Sequence, residues 1–238
     1  MKRTLFVIIL VVFINNWLSA QKLEPVIVKA GTNLNDYFPM SKRYLYPEFT
    51  LGKGFFQNNR IVPCLFNFNL LSGEIEFISS KDTLLIAKKQ EIVSIVVAQD
   101  TFYYHEAYLQ LIQNGPLKVF LKRGLKIQDI RKEGAMGSVN RSAASDSYSF
   151  LILGKRTLDL KPTEDILLQK TEEYFYSLDG VDYIPFTRKN ILKVRQVKED
   201  VIKDFIKSNK IDFDSREGIL RLTDFVNMLL TQKFGKSK

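Results

Sequence analysis

The chain has 238 residues, 45% of them hydrophobic and 26% charged, a balance that supports a buried core and excludes wholesale disorder. Its 35 Lys/Arg against 26 Asp/Glu leave a formal charge of +9, and its single cysteine excludes an internal disulfide. One cysteine and one histidine cannot build a zinc site, and no acidic run has the spacing of a calcium loop.

Residues 1–20 read as a secretory signal peptide. Lys2 and Arg3 precede an unbroken apolar run from Leu5 to Ile14, and Asn15 to Ala20 form a more polar tail ending in small residues. The run is shorter than the roughly 20 residues a helix needs to cross a bilayer, so cleavage after Ala20 is expected rather than a retained anchor. No cysteine lies near that point, which argues against a lipid-anchored product.

From Leu23 to Phe186 the pattern is that of strands. Val26-Ile27-Val28 forms a first short strand, and the Asn-, Pro- and Tyr-rich stretch from Gly31 to Pro47 is irregular. Glu48 to Leu51 and Phe55-Phe56 flank the turn Gly52-Lys53-Gly54. The clearest element is Pro63 to Ile78, which predicts a β-hairpin. Phe66, Phe68 and Leu70 alternate with Leu65, Asn67 and Asn69, Leu71-Ser72-Gly73 turns the chain, and Ile75 and Phe77 alternate with Glu74 and Glu76. The amide and carboxylate face is expected to be wet, and Ile92 to Val97 is expected to be covered on both faces. Asn114-Gly115-Pro116 joins two further strands, Tyr108 to Gln113 and Leu117 to Lys122.

Turn signals every eight to fifteen residues between about 48 and 122 predict an antiparallel meander closing into a roll, sandwich or barrel. Residues 131–149 are rich in Gly, Ser and Ala and read as a mobile loop. Within it Asn140-Arg141-Ser142 matches the glycosylation triplet, a pattern short enough to arise by chance. Phe150 to Leu153 and Thr157 to Leu160 return to strand character. Tyr174 to Tyr176 and Val181 to Ile184, joined through Leu178-Asp179-Gly180, predict a second hairpin.

Beyond Phe186 the period becomes helical. Thr187 is placed to cap a helix, and Val194, Val197, Val201, Ile202, Phe205 and Ile206 share one face, with Asn209-Lys210 at the end. Asp214 and Glu217 suggest a capping box for a last helix striped by Ile219, Leu222, Val226, Leu229 and Leu230. Residues 187–238 hold 13 Lys/Arg against 7 Asp/Glu, so the basic character is concentrated there. The expected fold class is therefore α+β: a signal peptide over 1–20, an antiparallel β domain over 21–186, and over 187–238 a C-terminal pair of α-helices packed on the sheet.

Catalytic signatures are sparse. No glycine-rich phosphate loop follows a strand and no nucleophile elbow occurs. Cys64 sits in the apolar hairpin run and reads as a small hydrophobe, with nothing in the sequence bringing His105 to it. Glu74 and Glu76 share a strand face and are the one available carboxylate pair, a pattern more often surface decoration than chemistry. Aromatic and basic residues do not interleave as a base-stacking platform would. No catalytic, cofactor-binding or metal-ligating residue is assigned, and no cofactor is expected.

Several stretches together resemble exported, uncharacterised proteins of Bacteroidota with a β-rich body and a short helical C-terminal region. They are the apolar leader, Phe49-Thr50-Leu51-Gly52-Lys53-Gly54, the run from Leu65 to Ile78, and the tail Thr187 to Lys193 continuing through Phe205 to Phe213. The resemblance carries no activity and no functional residues. The expected protein is an exported, non-enzymatic envelope or binding protein in the periplasm, outer envelope or exterior. Its expected partner is an envelope protein or glycan, with no nucleic acid, no transmembrane anchor after processing and no disulfide-linked partner. Two alternatives stand beside it: a secreted hydrolase with carboxylate catalysis, and anionic-surface binding through the basic C-terminal helices around Lys203 and Lys207. An apolar concave site would favour the first reading, and converging acids the hydrolase.

Overall fold

A computed structural model describes residues 25–133, 139–143, 162 and 164–235. In chain order these form β1 (Val26–Val28), α1 (Leu34–Tyr37), α2 (Met40–Arg43), β2 (Thr50–Phe56), β3 (Ile61–Asn69), β4 (Glu74–Ser79) and β5 (Asp82–Leu85). A 3-10 turn (Lys89–Glu91) leads into β6 (Ile92–Val97), β7 (Asp100–His105), β8 (Ala107–Gln113), β9 (Lys118–Glu133) and β10 (Val139–Ala143). β11 (Asp165–Ser177), β12 (Ile184–Pro185), α3 (Arg188–Ile191), α4 (Glu199–Ser208) and α5 (Arg216–Gly235) complete the fold, which is α+β. The leader, residues 1–20, and the strands expected at 150–153 and 157–160 lie outside the described residues.

Among the described residues, all twelve strands belong to one antiparallel sheet, ordered β1-β11-β9-β8-β7-β6-β2-β3-β4-β5, with β10 added to β9 and β12 to β11. The expected meander is present as two runs, β2 to β5 and β6 to β9. They are joined because β2 pairs with β6 as well as with β3.

The sheet is strongly curled. β3 and β7 are three strands apart, about 14 Å across a flat sheet, yet the rings of Phe68 and Phe102 stack with centroids 5.6 Å apart. Leu71, in the β3–β4 turn, packs on Leu125 and Ile127 of β9 across the inside of the curl. Glycine makes this curvature possible at β2. A Cβ on Gly52 would lie 2.4 Å from the Val96 carbonyl oxygen, and one on Gly54 would press on the rings of Phe56 and Phe66.

The hairpin of β3 and β4 has the expected register, pairing Phe66 with Phe77 and Phe68 with Ile75, and Gly73 takes φ 70° in its turn. Its polar face corrects the expectation of a wet side. Asn67 is 0% and Glu76 8% exposed, because residues 43–48 run beside β3 and cover that face. The backbone amide of Leu70 donates to the Arg43 carbonyl and that of Leu45 to the Phe68 carbonyl. The Asn67 amide takes up both backbone groups of Tyr46 and the Glu48 carbonyl, at 3.0–3.1 Å. The Tyr44 hydroxyl donates to Glu76 Oε2 at 2.6 Å, and Asn69 Nδ2 donates to Glu76 Oε1 at 2.9 Å.

β6 also departs from expectation. Val93 is 49% exposed, because the register with β2 shifts there and turns Ile92 and Ile95 inward together. Part of the segment read as a loop, 131–149, is strand. β9 continues to Glu133 and β10 returns along it from Val139 to Ala143. The reason is that β8 accompanies only the first part of β9, leaving a backbone edge that β10 satisfies through main-chain pairing.

The helices seal one end of the curl. Ile202 and Ile206 of α4 and Ile219, Leu222, Val226 and Leu230 of α5 pack on Leu117, Val119 and Tyr176. The Asn227 side chain bonds both the amide and the carbonyl of Leu117, pinning α5 to the β8–β9 turn. Thr187 caps α3 as expected. That helix is one turn long, however, and Val194 and Val197 reach the core from an irregular link rather than from α4. The cap of α5 is Ser215, whose hydroxyl accepts from the Gly218 amide at 3.0 Å. Asp214 instead sits inside a turn held by the Asp212 carboxylate.

Candidate functional site

Among the described residues the curled sheet forms an apolar concavity at the β2–β5 end. Val62, Cys64 and Phe66 project from the inner face of β3. They are flanked by Phe56 of β2, Phe77 of β4 and the chain from Leu85 to Lys88. The cavity measures about 340 Å³, at the small end of the range typical of ligand sites. Its charged residues are Arg60, Lys88 and Glu91. Lys88 and Glu91 pair at 3.1 Å, and the Arg60 guanidinium lies 4.7 Å from the Phe56 ring centroid.

Cys64 is half-buried in this wall, its thiol donating to the Ile78 carbonyl at 3.1 Å. His105 ends β7 and rests against Tyr183, their rings 5.0 Å apart, so the structure gives the two residues separate partners. Glu74 and Glu76 are likewise engaged separately. Glu76 accepts from Tyr44 and Asn69, whereas Glu74 Oε1 meets Lys89 Nζ at 2.5 Å. Glu74 Oε2 and the Tyr108 hydroxyl are both buried with no hydrogen-bond partner among the described residues.

A second polar group, which sequence reading missed entirely, crosses the inside of the curl. The Tyr46 hydroxyl donates to Asp100 Oδ2 at 2.6 Å, and Gln110 Nε2 donates to Asp100 Oδ1 at 2.7 Å. Arg123 then donates to Gln110 Oε1, pairs with Glu172 at 3.4 Å, and Glu172 accepts from the Tyr174 hydroxyl. Burial holds the tyrosines protonated: Tyr46 and Tyr108 lie well above the usual phenol range and Tyr174 is pushed up to about 12, mainly by desolvation. Burial pulls Arg123 down, opposed by Glu172. Apart from Glu172 and Tyr174, which share β11, the residues of this group come from different strands or segments, so no local spacing announces it.

At the C-terminus, Lys203 pairs with Glu199 at 2.7 Å, which raises its pKa, and the apolar face of α4 is turned into the core. No helix among the described residues is long and apolar enough to cross a membrane, and no group of three or more His, Cys, Asp or Glu among them has a metal-binding arrangement. No protein-family model, curated protein or solved structure matches the chain.

Proposed function

We propose that the protein is exported and acts, without chemistry of its own, as a binding protein that holds a small apolar molecule in the pocket walled by β2, β3 and β4. The observation that carries this reading is the 340 Å³ cavity, where Val62, Cys64, Phe66 and Phe77 are set against the exposed chain from Leu85 to Lys88. Apolar walls with a few charges at the side favour desolvation of a ligand over acid–base work. The two carboxylates best placed for catalysis by sequence are both committed to structural partners, which weighs against the hydrolase. Inward packing of Ile202 and Ile206 commits most of the apolar face of α4 to the core and leaves Val201 exposed, which weighs against a lipid surface. The leader pattern of residues 1–20 supports export to the periplasm, outer envelope or exterior, in company with an envelope protein or glycan.

The test is solvent extraction and mass spectrometry of small molecules carried by the purified protein and by an Ala87→Trp variant. Ala87 is exposed and lines the pocket, so an indole there fills the cavity without entering the core. A molecule carried by the parent and lost from the variant is expected. Equal recovery from both refutes the site. Export predicts a mature N-terminus at Gln21, and an intact Met1 on protein retained in the cytosol refutes it.

A further inference from the structure

A smaller cavity, of about 140 Å³, shares no lining residue with the apolar pocket. It is walled by Leu45, Leu70, Arg123, Gly124, Lys170, Thr171 and Glu172. Its charges do not balance locally. Arg123, with its side chain 15% exposed, is shared between Gln110 and Glu172. Lys170 is half-buried and has no ion pair among the described residues. Burial lowers its pKa first and the neighbouring cation Lys42, on α2, lowers it further. Arg216, at the start of α5, adds to the positive field felt by Arg123. The acid facing this group is Glu172, with Asp100 acting on Arg123 from the far side, and Tyr174 is the remaining titratable neighbour.

A partly desolvated ammonium beside a second lysine is costly unless an anion compensates it. The pocket offers what an oxyanion needs: its wall carries Lys170 and Arg123, on the same face of β11 and β9, against the single carboxylate of Glu172, in a space that excludes anything larger than a small group. We propose that this pocket is a binding site for a small oxyanion, a phosphate or a group of phosphate-like geometry, held between Lys170 and Arg123. Leu45 and Leu70 form its apolar floor, limiting water access and strengthening the charge interaction.

Binding requires Lys170 to be charged, so the bound anion raises its pKa, and affinity declines as pH climbs through the lowered value of the free site. The experiment is calorimetric titration of the purified protein with inorganic phosphate at fixed ionic strength, with chloride as control. It is repeated on Lys170→Gln, on Lys42→Gln and on Lys53→Gln, which is remote on β2. The parent and Lys53→Gln are expected to bind phosphate. Lys170→Gln should bind about tenfold more weakly or worse, the scale of one lost charge-assisted bond. It should melt no lower than the parent in phosphate-free buffer, since it removes an uncompensated charge. Lys42→Gln, an exposed change that leaves the fold intact, should weaken binding by a smaller factor. Co-sedimentation with phosphatidylcholine vesicles containing phosphatidate separates two sources of the same chemistry. Pelleting that depends on Lys170 assigns a lipid headgroup, and solution binding without pelleting assigns a free ion. Absence of both, or phosphate affinity unchanged in Lys170→Gln, overturns the site. Because Ala87→Trp touches only the other pocket, its effects and these are separable.

Discussion

Asn67 provides the sharpest test of how this fold is held. Alternation along β3 places it on the face that ought to meet water, where truncation would be nearly neutral. In the structure its amide is fully buried and makes three bonds to residues 44–48: from the Tyr46 amide at 3.1 Å, and to the Tyr46 and Glu48 carbonyls at 3.0 and 3.1 Å. At about 1 kcal/mol net for each bond, Asn67→Ala costs about 3 kcal/mol, more if the Tyr46 groups stay unpaired. Asn67→Asp sharpens the argument. It keeps the acceptor, loses two donors, and sets a carboxylate against two carbonyl oxygens, so its pKa in the fold lies above the unfolded value of about 3.9. The charge-linked part of the penalty is then absent below the unfolded pKa and grows as pH rises toward the folded one, whereas the lost donor costs at every pH. The assay is equilibrium urea unfolding followed by far-UV circular dichroism, since the only tryptophan, Trp17, lies outside the described residues. A loss under about 1 kcal/mol for Asn67→Ala, together with a pH-independent Asn67→Asp, would refute the claim that this amide fastens residues 44–48 to the sheet.

Two further outcomes follow from the same packing. Gly52→Ala places a methyl group 2.4 Å from the Val96 carbonyl oxygen, where the backbones of β2 and β6 must part to admit it. A loss of about 1–3 kcal/mol is expected, read as a lowered melting temperature, and an unchanged melting temperature would show that the sheet is not tightly curled at β2. Desolvation first, then bonding to Glu76 and Asp100, raises Tyr44 and Tyr46 above the ordinary phenol value of about 10. The unfolded chain therefore releases these protons first, and stability is full below that value and lost as pH rises toward the folded pKa. Tyrosinate absorbance should rise in two phases, the second coincident with loss of circular dichroism. A single phase completed while the fold persists would contradict the buried placement.

How much was legible depends on how far each determinant reaches along the chain. The β3–β4 hairpin could be read because its alternation and its Gly73 turn are contained in sixteen neighbouring residues. The stripe of α5 was equally plain, since Ile219, Leu222, Val226 and Leu230 repeat at the helical period. Its cap was misplaced by one residue because Asp214 and Ser215 are both good caps, and only the turn at Asp212 selects between them. The full length of β9 and β11 was missed. Their pairing from Arg131–Asp165 to Lys118–Ser177 satisfies the backbone through charged and polar stretches that carry weak alternation. The apolar pocket was invisible for another reason. Cys64, Phe66 and Phe77 belong to the hairpin pattern, but nothing local says that the chain from Leu85 to Lys88 folds beside them to make a cavity.

The sequence by itself determined that a two-residue rhythm gives way to a helical one near Phe186, and hence that strands precede helices. Those rhythms are properties of adjacent residues, written into side-chain type. Tertiary structure alone decided that β2 sits between β3 and β6, that β11 lies between β1 and β9, and that Asn67 and Glu76 face protein instead of water. Such choices are made between segments distant in the chain, by the curl that brings Phe68 onto Phe102 and by residues 43–48 closing over the hairpin. Polarity at one position does not say what will cover it.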